Sequence, residues 1–206
     1  MAKIISFVTT KGGAGKTVFN VSLAIYYTLQ GKSVCILDCD PKPASFRWSQ
    51  KQIFPNITAK QIKTSFEVAP AIKSAQVDFD VVLVDTSGAL TDMTKAVVSL
   101  SDTVVIPSKT SEDDIIEALG MYNAVCGADT KAKPIIVING VTSQAALGRQ
   151  IKEHLVSKAA VVADYLVPHR SSFPDITLMN SAKAVQSKLT PIKPLIGELQ
   201  MKGLLP

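Results

Sequence analysis

Cysteine is scarce in this chain. Its 206 residues hold three, Cys35, Cys39 and Cys126, and no two form a C-x-x-C pair. That excludes a disulfide framework and a cysteine-ligated cluster, and a reducing cytoplasm fits best. Cys35 lies in an apolar run and reads as a core filler. No apolar run approaches the roughly 18 residues that a membrane span requires. The N-terminus enters a strand directly, without the pattern of a signal peptide. Linkers, repeats and low-complexity stretches are lacking too, so one domain over 1–206 is the simplest organisation. Charged residues make up 19% and hydrophobic ones 47%. Such a chain buries a sizeable core and is not disordered.

What is present is an alternation of apolar runs and helical periodicities. Ile4–Val8, Ser33–Leu37, Asp80–Asp85, Thr103–Pro107 and Pro134–Asn139 read as strands, with Asn56–Ala59 a weaker one and Ala159–Val162, extending toward Val167, the last. Helices are expected over Val18–Leu29, Ala44–Gln52, Phe66–Ala75, Asp92–Leu100, Ser111–Cys126, Ser143–Ser157, Ser172–Asn180 and Pro191–Gly203. Gly31 sits where a glycine ends the first of these. Ser111 suits an N-cap, with Glu112, Asp113 and Asp114 in the first turn, where the helix dipole favours acids. The strands are near-continuous Val/Ile/Leu runs, as in sheets buried on both faces. The expected fold class is α/β: a single domain, a mostly parallel twisted sheet and helices on both faces.

The chemistry concentrates in Thr10-Lys11-Gly12-Gly13-Ala14-Gly15-Lys16-Thr17. A strand precedes this stretch and a helix succeeds it, the geometry of a P-loop. Gly12, Gly13 and Gly15 let backbone N–H groups approach phosphate oxygens with no Cβ in the way. The helix N-terminus adds partial positive charge at the same place. Lys16 supplies a full charge for the outer phosphates, and the Thr17 hydroxyl suits magnesium. The first glycine of the usual pattern is replaced by Thr10, and an extra lysine, Lys11, comes next.

Ligands of open α/β sheets bind beyond the carboxyl ends of the strands. Asp38-Cys39-Asp40-Pro41, Asp85-Thr86-Ser87-Gly88 and Asn139 fall there with the P-loop. Asp85, after four apolar residues, looks like a Walker B carboxylate acting on magnesium, directly or through water. Gly88 then resembles a switch glycine whose N–H senses the γ-phosphate. The plainer reading of an aspartate at a strand end is a helix cap. Asn139 has two readings as well, an adenine-edge contact or a turn residue beside Gly140.

Lys-Gly-Gly-x-Gly-Lys-Thr resembles the deviant Walker A motif of the ParA/MinD ATPases, and Asp38-Cys39-Asp40-Pro41 resembles their D-x-D-P segment. The chain looks like a small ParA-type plasmid partition ATPase. The resemblance implies ATP and Mg2+ as ligands and slow, partner-stimulated hydrolysis. It implies that Lys11 reaches a second subunit's nucleotide, Asp40 positions the attacking water, and Asp38 lies near the metal, with Pro41 in the same switch. It further implies an ATP-dependent homodimer, nonspecific DNA binding, a centromere-binding adaptor protein and a nucleoid-associated location. Lys42 after D-x-D-P, Val18 after Lys-Thr and the Ser87-Gly88 switch depart from the family pattern and mark a divergent branch. The alternative is a MinD-like or cargo-positioning ATPase, acting on a membrane or a protein assembly. The tail from Ile192 holds Leu195, Ile196 and Leu199 at helical spacing, interrupted by Pro191, Pro194 and Gly197. It is expected to pack on the domain rather than on a membrane.

The net charge of +5 is uneven. Residues 131–206 carry ten basic and four acidic residues, leaving −1 for the first 130. Arg149, Lys152, Arg170, Lys183 and Lys188 are the candidates for DNA-phosphate contacts. Such contacts need no base readout and are salt-sensitive.

Overall fold

The structure is a computed structural model that describes residues 1–142, 145–169 and 174–206. Among the described residues seven strands form one sheet: β1 (Lys3–Phe7), β2 (Val34–Cys39), β3 (Ile57–Gln61), β4 (Val81–Thr86), β5 (Thr103–Ser108), β6 (Lys133–Val141) and β7 (Val167–Pro168). Their spatial order is β3-β2-β4-β1-β5-β6-β7, and every pairing is parallel. The central strands are buried along their whole length. Such strands have no polar face to offer water, which is why the sequence shows apolar runs rather than alternation.

The period of two survives in which core each residue feeds. Ile5 and Phe7 enter a cluster on one side of the sheet, while Ile4 and Val8 enter two clusters on the other. The first side is covered by α1 (Lys16–Thr28), Trp48 of α2 (Ala44–Ser49), α7 (Ala182–Ser187) and α8 (Lys193–Met201). Residues of α3 (Ser65–Asp78), α4 (Asp92–Leu100), α5 (Glu112–Cys126) and α6 (Ala145–Ser157) cover the other. Ser111 caps α5 by accepting from Asp114 N at 3.2 Å. Gly31, at φ 79°, comes just after α1 as expected.

Three expectations need correction. Ala159–Val162 is not a strand. Ala159 takes a left-handed φ of 61°, and Val162 makes only an isolated bridge to Ile136. The last strand is the two-residue β7, paired with β6 across an irregular register. The segment expected as a helix over Ser172–Asn180 holds, where described, a 3-10 turn at Pro174–Thr177, and α7 comes after it as an unexpected short helix. Pro194 does not interrupt the final helix. It stands in the first turn of α8, where no N–H donor is needed.

The tail is fastened to the domain as expected. Glu198 of α8 accepts from Asp164 N and Tyr165 N at 2.6 and 2.7 Å. Lys3 Nζ donates to Gly203 O at 2.6 Å, and Thr103 Oγ1 to Leu204 O at 2.6 Å. Leu195, Ile196 and Leu199 are buried. Among the described residues no helix is long and apolar enough to cross a membrane.

Candidate functional site

The strand order sets the site. β1 lies between β4 and β5. The loop after β1 is therefore flanked by the residues just past those two strands, all at the carboxyl end of the sheet. Gly13 and Gly15 adopt φ of 75° and 108°, which a side chain resists. A Cβ at Gly15 would also stand 2.7 Å from Asn139 Nδ2. Asn139, near the end of β6, donates that amide to Ala14 O at 2.9 Å. It thus ties the middle of the loop to the sheet while lining the cleft. Lys16 opens α1, is only 7% exposed, and donates its ammonium to Lys11 O at 3.2 Å. Burial pulls its pKa down from the ordinary lysine value, and Asp85 and Asp40 pull the other way.

Asp38 and Asp85 are register partners on β2 and β4. Both are buried, but their carboxylates are used differently. Asp38 accepts from Ser45 Oγ at 2.7 Å, from Phe46 N at 2.9 Å and from Asp40 N at 3.0 Å. It caps the start of α2 and shapes the turn carrying Asp40, the role a strand-end acid has in the helix-cap reading. Among the described residues neither carboxylate oxygen of Asp85 has a partner in hydrogen-bond geometry, although the Thr17 and Ser45 hydroxyls lie close enough to favour its charged form. Burial first, and then the charge of Asp38, push its pKa up to about 7, against the opposing pull of Thr17, Ser45 and Lys16. A buried carboxylate without a partner is costly unless a cation or donor completes it. With the Thr17 hydroxyl beside it, the pair fits magnesium, which takes hard oxygen ligands and keeps waters.

The cleft over the loop has a volume of about 420 Å³. Gly12, Gly13, Lys16, Thr17, Asp40, Gly88 and Asn139 line it, as the motifs require. Gly88 is in close contact with the loop. A Cβ there would meet Gly12 N and the Lys11 carbonyl carbon at 3.0 Å. Asp40 accepts from Lys42 N at 2.8 Å, and Pro41 is exposed beside it. Lys11 turns away from the cleft. Its ammonium lies 3.6 Å from Asp114 and 3.9 Å from Asp113 on α5. The preceding Thr10 hydroxyl donates to Glu117 of the same helix.

A protein-family model described as VirC1 protein matches residues 2–181. The chain belongs to the VirC1 protein family. It is 35% identical over 107 residues to the protein ParA of Rhizobium radiobacter, a match covering 52% of this chain and 48% of that one. The VirC1-family chain thus spans about half the length of that curated relative. Among solved structures, it is similar to the MinC:MinD cell division complex of Aquifex aeolicus, with a TM-score of 0.73, 16% identity and 96% of each chain covered. It is also similar to a protein of Borrelia burgdorferi B31 assigned to plasmid partition and bound to AMPPNP. There the TM-score is 0.70 at 15% identity, covering 96% of this chain and 99% of that one. The fold is therefore that of the ParA/MinD-type P-loop proteins.

Lys109 of the VirC1-family chain lines the cleft although no motif marks it, and Pro168 and His169, which begin a stretch resembling the segment before the late helix of the ParA/MinD ATPases, line it too. Each lies at or just past the end of a strand, β5 or β7. The strand-end rule that found Asp38, Asp85 and Asn139 would have found Lys109 as well. The DNA candidates are divided between two helices. Arg149 and Lys152 stand on α6, Lys183 is on α7, and Lys188 comes just after α7. Lys152 is ion-paired with Asp164, which also holds Lys202 at 3.0 Å. Arg170 lies outside the described residues.

Proposed function

We propose that the chain is a ParA-type switch that hydrolyses ATP and acts in DNA partition. The observation that carries the reading is Asp85, a buried carboxylate with no partner in hydrogen-bond geometry among the described residues, at the foot of a P-loop that carries Lys16 and Thr17. Nucleotide phosphates fit the N–H groups of Gly12–Lys16 and the Lys16 ammonium. Thr17 and Asp85 would hold magnesium, and the bound ion neutralises phosphate charge. Asp38 holds the turn that aims Asp40 into the cleft, where Asp40 orients the attacking water. Gly88 touches the loop backbone, so a displacement of the loop reaches the β4–α4 segment. Catalysis of this kind is positioning and charge stabilisation.

In this reading, Lys11 of one subunit completes the site of another, so hydrolysis requires an ATP-bound homodimer. The dimer binds DNA nonspecifically through basic residues of the C-terminal third, and an adaptor bound at a centromere-like site stimulates turnover in a cytoplasmic, nucleoid-associated setting. The match to ParA and the fold shared with the AMPPNP-bound partition protein support this reading. Duplex-DNA binding by the purified chain, with ATP, ADP or no nucleotide at two salt concentrations, tests it. Binding that appears only with ATP and fades at higher salt is expected. Equal binding in all three states, or none, rejects the DNA switch.

A further inference from the structure

We propose that Lys109 is a phosphate-contacting residue of the nucleotide site, supplied in cis from the turn after β5. The inference rests on the nucleotide-binding reading above and adds a residue to it. β5 runs parallel to β1, with Phe7 opposite Val105, and Val8 N donates to Val105 O at 3.0 Å. β5 continues to Ser108, past the end of β1 at Phe7, so the turn leaving β5 stands beside the P-loop. Lys109 is the first residue past β5, and its side chain lines the same cleft as Lys16 and Thr17. Its Nζ lies 3.6 Å from where a Cβ on Gly13 would stand.

The turn that presents it is held. Ser108 Oγ, itself buried, is within hydrogen-bond distance of Lys109 O at 2.9 Å and of Asp114 O at 3.1 Å. The three lysines around the loop then differ in what they touch. The Lys11 ammonium is paired with Asp113 and Asp114. The Lys16 ammonium donates to Lys11 O. Among the described residues Lys109 makes no ion pair, although α5 places three acids within its first turn. An exposed ammonium without a counter-charge, aimed over a glycine whose N–H belongs to an anion cradle, matches a polyanion in that cradle. Because Lys109 acts within its own chain, it strengthens nucleotide binding by the monomer, before any second subunit arrives.

The test is binding of AMPPNP with magnesium to the full chain, for wild type, Lys109→Met, Lys109→Arg, Lys133→Met and Lys16→Ala. Lys133, at the start of β6, lies at the opposite end of the sheet and controls for net charge. Lys109→Met is expected to raise Kd about tenfold, the scale of one charge-assisted contact. Lys109→Arg should stay within about threefold, because it keeps the charge, and Lys133→Met should leave Kd unchanged. If Lys16→Ala abolishes binding while Lys109→Met binds within about twofold of wild type, the proposal is overturned and the nucleotide reading stands. An equal loss in Lys133→Met also overturns it, since the effect is then one of overall charge. A wild-type chain that binds no AMPPNP overturns the nucleotide reading, and the proposal falls with it.

Discussion

The Lys11 ammonium lies 3.6 Å from the Asp114 carboxylate of its own chain. A lysine that completes a second subunit's site must leave this partner first. Asp114 also receives the Ser111 hydroxyl, and it is 13% exposed in its side chain against 85% for Asp113. The contact at Asp114 is therefore the stronger restraint, and exposed or half-buried ion pairs contribute about 0.2–1 kcal/mol. Asp114→Asn keeps an acceptor for Ser111 and removes the charge. Basal ATP hydrolysis is expected to rise about two- to fivefold in Asp114→Asn, the rate equivalent of that energy, and to change less in Asp113→Asn. A rate equal to or below wild type in Asp114→Asn contradicts the restraint.

Asp85 is buried, and among the described residues its carboxylate has no partner in hydrogen-bond geometry. A site of this kind stores instability in the absence of a cation. Asp85→Asn should raise the thermal midpoint of the nucleotide- and magnesium-free protein, by about 1 kcal/mol or more in stability at neutral pH. The same variant should lose magnesium-dependent hydrolysis. A lower midpoint in Asp85→Asn would show that the carboxylate is structurally satisfied.

A side chain at Gly88 fits only if the loop backbone gives by a few tenths of an ångström. The atoms a Cβ would meet belong to the backbone of Lys11 and Gly12, which cannot swing aside as a flexible side chain would. Gly88→Ala should weaken AMPPNP binding about tenfold, the scale expected when a displaced loop misplaces one or two of its donors. Calorimetric titration checks this, and unchanged affinity would mean that the loop gives way freely.

Asp164 is held at about 2 by its hydrogen bonds and charge contacts with Lys152 and Lys202. A depressed carboxyl pKa contributes stability above the ordinary aspartate value of 3.8, and that stability is lost as pH falls through about 2. The group is largely solvent-exposed, so the contribution is under about 1 kcal/mol. Asp164→Asn should lower the melting temperature slightly at pH 7, and the difference from wild type should shrink toward pH 2 and in high salt. A constant difference across pH would assign the effect to packing.

The legible parts of the sequence are those with short-range signatures. Val81–Val84 and Ile135–Ile138 read as buried strands because every position is apolar. The P-loop is legible because Gly13, Gly15, Lys16 and Thr17 each answer a separate requirement of phosphate binding. Ala159 misleads because nothing in an Ala-Ala-Val-Val run signals a left-handed φ. Pro194 reads as a breaker because its place in the first turn depends on where α8 begins. The cis partner of Lys11 is hidden by distance. The chain separates it from Asp114 by about a hundred residues, and only the β1–β5 pairing brings them together. Lys109 lies at a strand end but carries no motif.

The most direct test of the ATP-gated switch is the mass of the full chain in solution. Sedimentation velocity compares the chain with AMPPNP and magnesium, with ADP and magnesium, and without nucleotide, beside Lys11→Ala. A dimer formed only with the triphosphate, and weakened in Lys11→Ala, is the predicted result. A single mass in all three nucleotide states, whether monomer or dimer, contradicts a switch gated by ATP.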